Sequence, residues 1–395
     1  MKTKTMMVAF LAAAAALQAA AAGESAADGN VAAFDSRMAI AEPVITDGMK
    51  WIDGRSLSIE GRMFDNVDKW YDRLPSNVTT NVNGGVRNMK HHTAGMQFRF
   101  STDSTTLVFK WIPFFPRLGM DHMPATGASG IDVYRFDAEA GKWRFAATGR
   151  IKEPEGSSLK IGWTPGVPCL VNLPLYNGIK EFSLGIDTNA TVSALGPRKS
   201  GIDKPVVFYG TSITHGACAS RPGMAFVNIV GRDLDVPVVD LGFSGNGLME
   251  FEMSEHLAAI DASCYVLDCL WNMHSLADGR KPHREGKYVE ENYEPFVRNL
   301  RAKRPGVPIV FAGECDFMCR PPSSKERYAK SLYDKLVAEG WKNLYFLPKD
   351  GMLGDDFEGT TDGCHPNDLG MMRMAAAYGR AVREALFSRP DGPEG

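Results

Sequence analysis

The stretch VVFYGTSITHG, residues 206–216, joins a run of buried-type apolar residues to a turn that carries a serine. Further apolar runs follow along the chain, and amphipathic segments long enough for helices separate them. The predicted strands are Val206–Tyr209, Val236–Leu241, Tyr265–Leu270, Ile309–Ala312 and Leu344–Leu347. Strict alternation of strand and helix is typical of a parallel sheet covered by helices on both faces. We therefore predict a three-layer α/β/α domain with a five-stranded parallel sheet over residues 201–390.

The preceding part of the chain, residues 23–200, has a different pattern. Short runs rich in β-branched and aromatic residues alternate there with turn residues. The predicted strands are Met96–Ser101, Thr106–Trp111, Ile131–Phe136, Trp143–Thr148, Cys169–Leu173 and Phe182–Ile186. Short strands at regular spacing favour an all-β sandwich of jelly-roll-like type. A linker is predicted around residues 196–204, between this domain and the α/β domain.

Residues 1–22 have the features of a targeting segment. Lys2 and Lys4 precede the apolar run Met6–Leu17, and small residues follow it. This order predicts a secretory signal peptide, and hence an exported protein located in the periplasm or outside the cell. A membrane anchor is the alternative, but Gln18 interrupts an alanine-dominated stretch that falls short of the ~20 strongly apolar residues of a spanning helix. We expect no stable membrane insertion after cleavage.

Charge and cysteine content narrow the classes of function. The 44 basic and 47 acidic residues give a formal net charge of −3 and form no blocks. This pattern argues against nucleic acid as a partner, since binding of the phosphate backbone calls for a basic patch. The seven cysteines are an odd number, so a monomer keeps at least one free thiol, and their spacing defines no disulfide pattern.

Chemically versatile residues follow the predicted parallel strands. Ser212 comes after the first strand, the glycine-rich segment 242–247 after the second and Asn272 after the third. Asp362 and His365, three residues apart, lie between the fifth strand and the last helix. Because ligands bind beyond the carboxyl ends of such strands, these loops are predicted to form one site.

This set of residues suits acyl transfer without a cofactor. A serine hydroxyl becomes a strong nucleophile when a base takes its proton, and a third group holds that base in one tautomer. Ser212, His365 and Asp362 are predicted to fill these roles. Negative charge develops on the oxygen of an ester under attack, and the backbone N–H groups of Ser212 and Gly245 and the side-chain amide of Asn272 are predicted to stabilise it.

Residues 205–386 resemble the SGNH hydrolases, also called GDSL-like lipases or acylhydrolases. The four letters of that name fall, in chain order, on Ser212, Gly245, Asn272 and His365. The resemblance implies a flavodoxin-like hydrolase domain in which the serine is the nucleophile, the glycine and the asparagine complete the oxyanion hole, and the histidine three residues after an aspartate is the base.

The sequence departs from the family pattern in two of its motifs. Thr211 replaces the aspartate of the GDS block, and residues 270–273 keep only Asn272 of the GxND block. Trp271, beside that asparagine, is predicted to form an apolar or sugar-stacking wall of the pocket. His215 lies too close to Ser212 in a tight turn to serve as its base, and we interpret it as a rim residue that contacts substrate.

The segment GIDVY, residues 130–134, resembles the GxDLY signature of a β-rich domain that precedes the hydrolase domain in one branch of the family. The segment GACASRPGM, residues 216–224, resembles the sequence that follows the nucleophile in that branch. Two interpretations of Asp132 and Tyr134 stay open. Alternation along a strand turns both outward, away from the core; alternatively, this strand reaches the catalytic rim and both residues contact substrate.

Other histidines and cysteines do not follow zinc-site spacing. His91 and His92 would point to opposite sides of an extended segment and are predicted to be solvated. Cys315 and Cys319 form one close pair, and Cys364 lies beside His365. In the sequence, no second pair of Cys or His residues stands at zinc-binding spacing from either of them. The sequence therefore predicts a metal-independent site.

Together these features predict a secreted serine esterase that forms an acyl-enzyme at Ser212. The resemblance implies a carboxylic-ester hydrolase, and export with a sandwich-like companion domain favours deacetylation of a carbohydrate or another glycan ester. A lipid or lysophospholipid acylhydrolase, which needs a long apolar tunnel, is the alternative enzyme. An inactive, hydrolase-like glycan-binding protein is the alternative from another class, and the intact Ser212, Asp362 and His365 argue against it.

Overall fold

A computed structural model describes residues 42–78, 81–279 and 287–388 of the chain. The predicted signal peptide lies outside the described residues. Within them the fold is mixed α/β, as predicted. The strands are, in chain order, β1 (Val44–Thr46), β2 (Met49–Asp53), β3 (Ile59–Glu60), β4 (Gln97–Thr102), β5 (Thr106–Pro113), β6 (Ile131–Asp137), β7 (Lys142–Gly149), β8 (Ser157–Gly162), β9 (Cys169–Asn172), β10 (Ile179–Asp187), β11 (Val192–Ala194), β12 (Val206–Gly210), β13 (Val238–Gly242), β14 (Cys264–Asp268), β15 (Ile309–Ala312) and β16 (Leu344–Leu347).

The α-helices flank these strands mainly in the second half of the chain. They are α1 (Gly84–Met89), α2 (Ala125–Ala128), α3 (Phe226–Leu234), α4 (Phe251–Ala259), α5 (Val289–Lys303), α6 (Ser324–Ala338) and α7 (Asp368–Phe387). Side-chain caps begin two of the longest ones. Ser323 accepts a hydrogen bond from the Glu326 N–H at the start of α6, and Asn367 accepts one from the Gly370 N–H at the start of α7.

The first eleven strands form two antiparallel sheets. One sheet has the order β1–β2–β10–β5–β8 and the other has the order β11–β4–β9–β6–β7, with β3 paired to β4. Aromatic and aliphatic side chains from both sheets share one core, including Phe98 and Val171 of one sheet and Trp111 and Phe182 of the other. The predicted β-rich amino-terminal domain is confirmed.

The remaining strands form the predicted five-stranded parallel sheet, in the order β13–β12–β14–β15–β16. Every residue of β12, β13 and β14 is buried, as expected when helices cover both faces. One core cluster lies against α4, α5 and α6, and a second lies against α3 and α7. The strands β13 and β14 lie on opposite sides of β12, which is the flavodoxin-like strand order. In such parallel sheets, ligands bind beyond the carboxyl end of the strand at which the order switches sides, here β12.

A segment from the first half of the chain also packs on the parallel sheet. Residues 64–78 and 81–89 belong by sequence to the part predicted as a β-sandwich domain, yet most of their buried apolar side chains lie in the core cluster beside α4, α5 and α6. Phe64, Leu74 and Val86 are examples, each at most 9% exposed. The two halves of the molecule thus share a core.

Two further features bear on the chemistry. All seven cysteines are free thiols in the structure. None of the helices in the described residues combines the length and the apolar character needed to cross a membrane.

Candidate active site

Ser212, His365 and Asp362 form a continuous hydrogen-bonded series. The Ser212 Oγ lies 2.9 Å from the His365 Nε2, and the His365 Nδ1 lies 2.7 Å from the Asp362 Oδ2. The other carboxylate oxygen of Asp362 accepts hydrogen bonds from the backbone N–H groups of His365, at 2.8 Å, and Cys364, at 3.0 Å. The structure therefore brings these three side chains together in the arrangement that the sequence predicts.

Hydrogen bonds keep the Asp362 carboxylate ionised. Partial burial acts to raise its pKa, but the hydrogen bonds from the His365 ring and from the His365 and Cys364 backbone outweigh that effect and hold the pKa below its usual range. A charged Asp362 accepts a hydrogen bond from the Nδ1–H of His365, and the Nε2 of that ring is then the unprotonated nitrogen facing Ser212.

Several hydrogen bonds hold the turn that carries Ser212. Ser212 follows the end of β12, and the Ala217 N–H donates to the Ser212 carbonyl at 3.0 Å. Thr214 donates its hydroxyl to Asp268, at the end of β14, over 2.7 Å. The Tyr176 hydroxyl donates to the Ser212 carbonyl at 3.1 Å. These bonds fix the turn on the sheet edge, while the Ser212 side chain faces His365.

Gly245 and Asn272, the two other predicted oxyanion-hole residues, lie beyond β13 and β14, the strands on either side of β12. Gly245 is exposed and has a φ of +67°, a left-handed conformation that glycine adopts without steric cost. The Asn272 Oδ1 accepts a hydrogen bond from the Gly247 N–H at 3.2 Å, which orients the amide and leaves its NH2 as the donor. Their role toward an ester oxygen stays a prediction.

A buried arginine that the sequence analysis missed supports the Gly245 loop. The Arg73 guanidinium donates to the carbonyls of Asp240, Gly242 and Met89 at 2.9 to 3.0 Å. It also lies 3.8 Å from the Asp240 carboxylate. Burial lowers the pKa of Arg73 to about 10, with Asp240 acting against that effect, so the guanidinium keeps its charge at neutral pH. No motif in the sequence marks this lone arginine.

His215 does not lie on the rim, so that prediction is wrong. Its side chain is fully buried, stacks on the Tyr176 ring at 4.1 Å and places Nε2 3.1 Å from the His92 Nδ1. Burial lowers the pKa of His215 well below its usual range and that of His92 to about 3, so both rings are neutral. The surface position predicted for His92 is also wrong, and His91 is partly buried against Asp72, 2.6 Å away. His215 and His92 thus pack beneath the turn that carries Ser212.

Asp132 and Tyr134 are buried, and both contact the segment that leads into α3. The Asp132 carboxylate accepts hydrogen bonds from the Arg221 side chain at 2.7 Å, the Gly223 N–H at 2.9 Å and the Asn172 amide at 2.8 Å. The Tyr134 hydroxyl contacts Arg221 as well. The outward orientation is therefore wrong, and these contacts explain both side chains as ties between β6 and the segment leading into α3.

Trp271 borders an open groove near the end of β14. Its indole N–H donates to the Cys315 carbonyl at 2.7 Å, and one side of the ring packs on the core. The groove is lined by Trp271, Asp278, Glu314, Asp316, Arg320 and Lys325. Phe317 follows the groove residue Asp316, and a Cβ on Gly363 would be in ordinary van der Waals contact with its ring, at 3.6 Å. Phe317 thus lies against the loop that holds Asp362 and His365.

Two family models match the chain, one in each half. The GDSL-like Lipase/Acylhydrolase family model matches residues 203–383, and the GxDLY model, the N-terminus of Esterase_SGNH_hydro-type, matches residues 49–192. No curated protein matches the chain.

Solved structures extend the similarity over both domains. A putative GDSL-like lipase from Bacteroides ovatus is 28% identical, with a TM-score of 0.72 and coverage of 86% of this chain and 98% of that one. The salicylyl-acyltransferase SsfX3 from a tetracycline biosynthetic pathway is 18% identical, with a TM-score of 0.66 and the same coverage of 86% and 98%. A family two carbohydrate esterase from Cellvibrio japonicus is 13% identical, with a TM-score of 0.53 and again 86% and 98% coverage. At these identities the last two show a shared fold alone.

From the two family matches, over residues 49–192 and 203–383, the chain belongs to the GDSL-like lipase and acylhydrolase (SGNH hydrolase) family, in the branch with a GxDLY amino-terminal domain.

Proposed function

We propose that the protein is a serine carboxylic-ester hydrolase that acts through an acyl-enzyme at Ser212. The observation that carries the proposal is the unbroken series from the Asp362 carboxylate through the His365 ring to the Ser212 hydroxyl, with separations of 2.7 and 2.9 Å. Both distances lie within the range in which a nucleophile and its base exchange a proton.

In the first half of the reaction, the His365 Nε2 takes the Ser212 proton as the Oγ attacks the ester carbonyl. The carbonyl oxygen becomes an oxyanion, which the N–H groups of Ser212 and Gly245 and the Asn272 amide stabilise. His365 then gives the proton to the departing alcohol, and the acyl group stays on Ser212. In the second half, water loses a proton to His365 and attacks this ester, so the acid leaves and Ser212 regains its proton.

We further propose that the substrate is an acetylated carbohydrate or another glycan ester, met outside the cytoplasm. The open groove beside Trp271 supports this choice, because an indole face with charged and hydroxyl-bonding side chains around it suits a sugar ring better than a long acyl chain. The predicted signal peptide supports the location. Deacetylation would release acetate and leave a free sugar hydroxyl.

A panel of esters tests the function and the substrate class together. We expect the mature chain to hydrolyse nitrophenyl acetate and acetylated xylan oligomers and to leave nitrophenyl palmitate intact. Hydrolysis is measured as release of nitrophenol from the nitrophenyl esters and of acetate from the oligomers. Hydrolysis of palmitate but not of acetyl esters would identify a lipid acylhydrolase instead, and binding of the oligomers without turnover would identify a glycan-binding protein.

Replacement of Asn272 by alanine tests the proposed oxyanion donor. We expect kcat on nitrophenyl acetate to fall by about 10² to 10³-fold with little change in KM, because the amide would act on charge that exists only in the transition state. Asn299→Ala, which removes an amide on α5 bonded to Ser254 and Glu255, is the control. A rise in KM at constant kcat would make Asn272 a substrate contact.

A further inference from the structure

Four side chains able to bind a transition metal meet at the edge of the triad. They are His122, Cys218, Asp362 and His365, and one potential ligand atom from each lies within 4.8 Å of the others. The His122 ring lies 5.3 Å from the His365 ring. These residues come from three separate segments of the chain, so a search for zinc-binding spacing in the sequence does not find them.

The donor set favours zinc or a similarly thiophilic cation. Imidazole, thiolate and carboxylate are zinc ligands, whereas magnesium and calcium take oxygen ligands. Zinc with four ligands at about 2.0 to 2.3 Å holds the ligand atoms roughly 3.3 to 3.7 Å apart. The ligand atoms must therefore move closer together by about 1 Å, which rotation of the His122, Asp362 and His365 side chains toward the buried Cys218 would supply.

Cys218 is the buried member of the cluster, and the other three side chains are more exposed. Cys218 is 5% exposed, and its backbone N–H donates to the Pro366 carbonyl at 3.0 Å, which ties it to the loop of Asp362 and His365. His122, Asp362 and His365 are partly or fully exposed. The His122 Nδ1 lies 3.2 Å from the Asp121 carboxylate, and a carboxylate on one ring nitrogen orients the other toward a metal.

We propose that this cluster is an inhibitory site for Zn²⁺ or a similar thiophilic divalent cation. The inference rests on the proposed esterase function. Both ring nitrogens of His365 are in use, Nε2 with Ser212 at 2.9 Å and Nδ1 with Asp362 at 2.7 Å. Whichever nitrogen binds the ion, one of these bonds is lost, so metal binding and catalysis exclude each other. On binding, the Cys218 thiol loses its proton to solvent and no electron is transferred.

Titration with Zn²⁺ tests the proposal on the full mature chain. Hydrolysis of nitrophenyl acetate should stop as Zn²⁺ is added and return when EDTA removes the ion. Cys218→Ser and His122→Gln should each need at least about tenfold more Zn²⁺ for the same inhibition, since each lacks one ligand. Neither side chain takes part in the proposed reaction, so both variants should keep their activity in EDTA. Cys319→Ser, which changes an exposed thiol outside the cluster, is the matched control.

A second measurement does not depend on activity. Co²⁺ bound to the wild-type chain should show the thiolate-to-cobalt charge-transfer absorption, and Cys218→Ser should lack it. Equal Zn²⁺ sensitivity of the wild type and both variants, or cobalt binding without that absorption, would overturn the proposal. So would metal binding that leaves hydrolysis unchanged. If the chain had no esterase activity even in EDTA, the proposed function would fail, while the cobalt spectrum would still show whether Cys218 binds the ion.

Discussion

Replacement of Ser212 by alanine is expected to lower kcat/KM for an acetyl ester by at least about 10⁴-fold, because the variant has no oxygen on which an acyl group can reside. His365→Ala should lose a similar amount, since the Ser212 hydroxyl would then keep its proton. The double variant should be no slower than either single one, because the two residues act as a unit.

Steady-state kinetics on nitrophenyl acetate and on acetylated oligomers measures these effects. Ser331→Ala, which removes an exposed hydroxyl on α6, is the control and should match the wild type. Additive losses in the double variant would mean that Ser212 and His365 act in separate steps, against the direct contact of 2.9 Å between them.

Replacement of Arg73 by leucine is expected to lower the free energy of unfolding by about 3 to 5 kcal/mol at pH 8, because it leaves the buried Asp240 carboxylate and three carbonyls without their partner. Turnover should fall as well, since Arg73 holds the Gly242 carbonyl at the start of the Gly245 loop.

The size of this effect should depend on pH. Burial raises the pKa of Asp240 to about 7, with Arg73 acting against it. The folded-state pKa therefore lies above the unfolded value of ~3.9, so ionisation of Asp240 disfavours the folded state increasingly as the pH rises from about 4 to 7. Arg73 offsets that cost, and its loss should destabilise the protein more at pH 8 than at pH 5.

Urea denaturation at the two pH values measures the difference. Arg144→Leu removes an exposed partner of Asp137 and is the control, with an expected change of at most about 1 kcal/mol. Equal and small changes for Arg73→Leu and Arg144→Leu, at both pH values, would contradict the role given to the buried pair.

The elements that could be predicted are those whose sequence pattern lies within a short stretch of the chain. The bounds of β15 and β16 agree with the sequence prediction, because a short apolar run between helical segments has one placement in a parallel sheet. The triad was predictable for a similar reason. Asp362 and His365 lie three residues apart in one loop, and the turn after β12 presents Ser212 at the same sheet edge.

The features that sequence reasoning missed depend on distant partners. His215 is buried because His92 and Tyr176 cover it, and these residues are 123 and 39 positions away. Asp132 is buried because Arg221 and Gly223 reach it from the other domain. β8 was not predicted, since half-buried and exposed residues alternate along it without a strong apolar run.

The most direct test of the central claim is covalent labelling with a fluorophosphonate, which reacts with an activated serine and mimics the acyl-enzyme. The account predicts one adduct per chain, located on the peptide that contains Ser212 and absent in His365→Ala. A chain that stays unmodified under conditions in which it hydrolyses esters, or an adduct on a different residue, would contradict it.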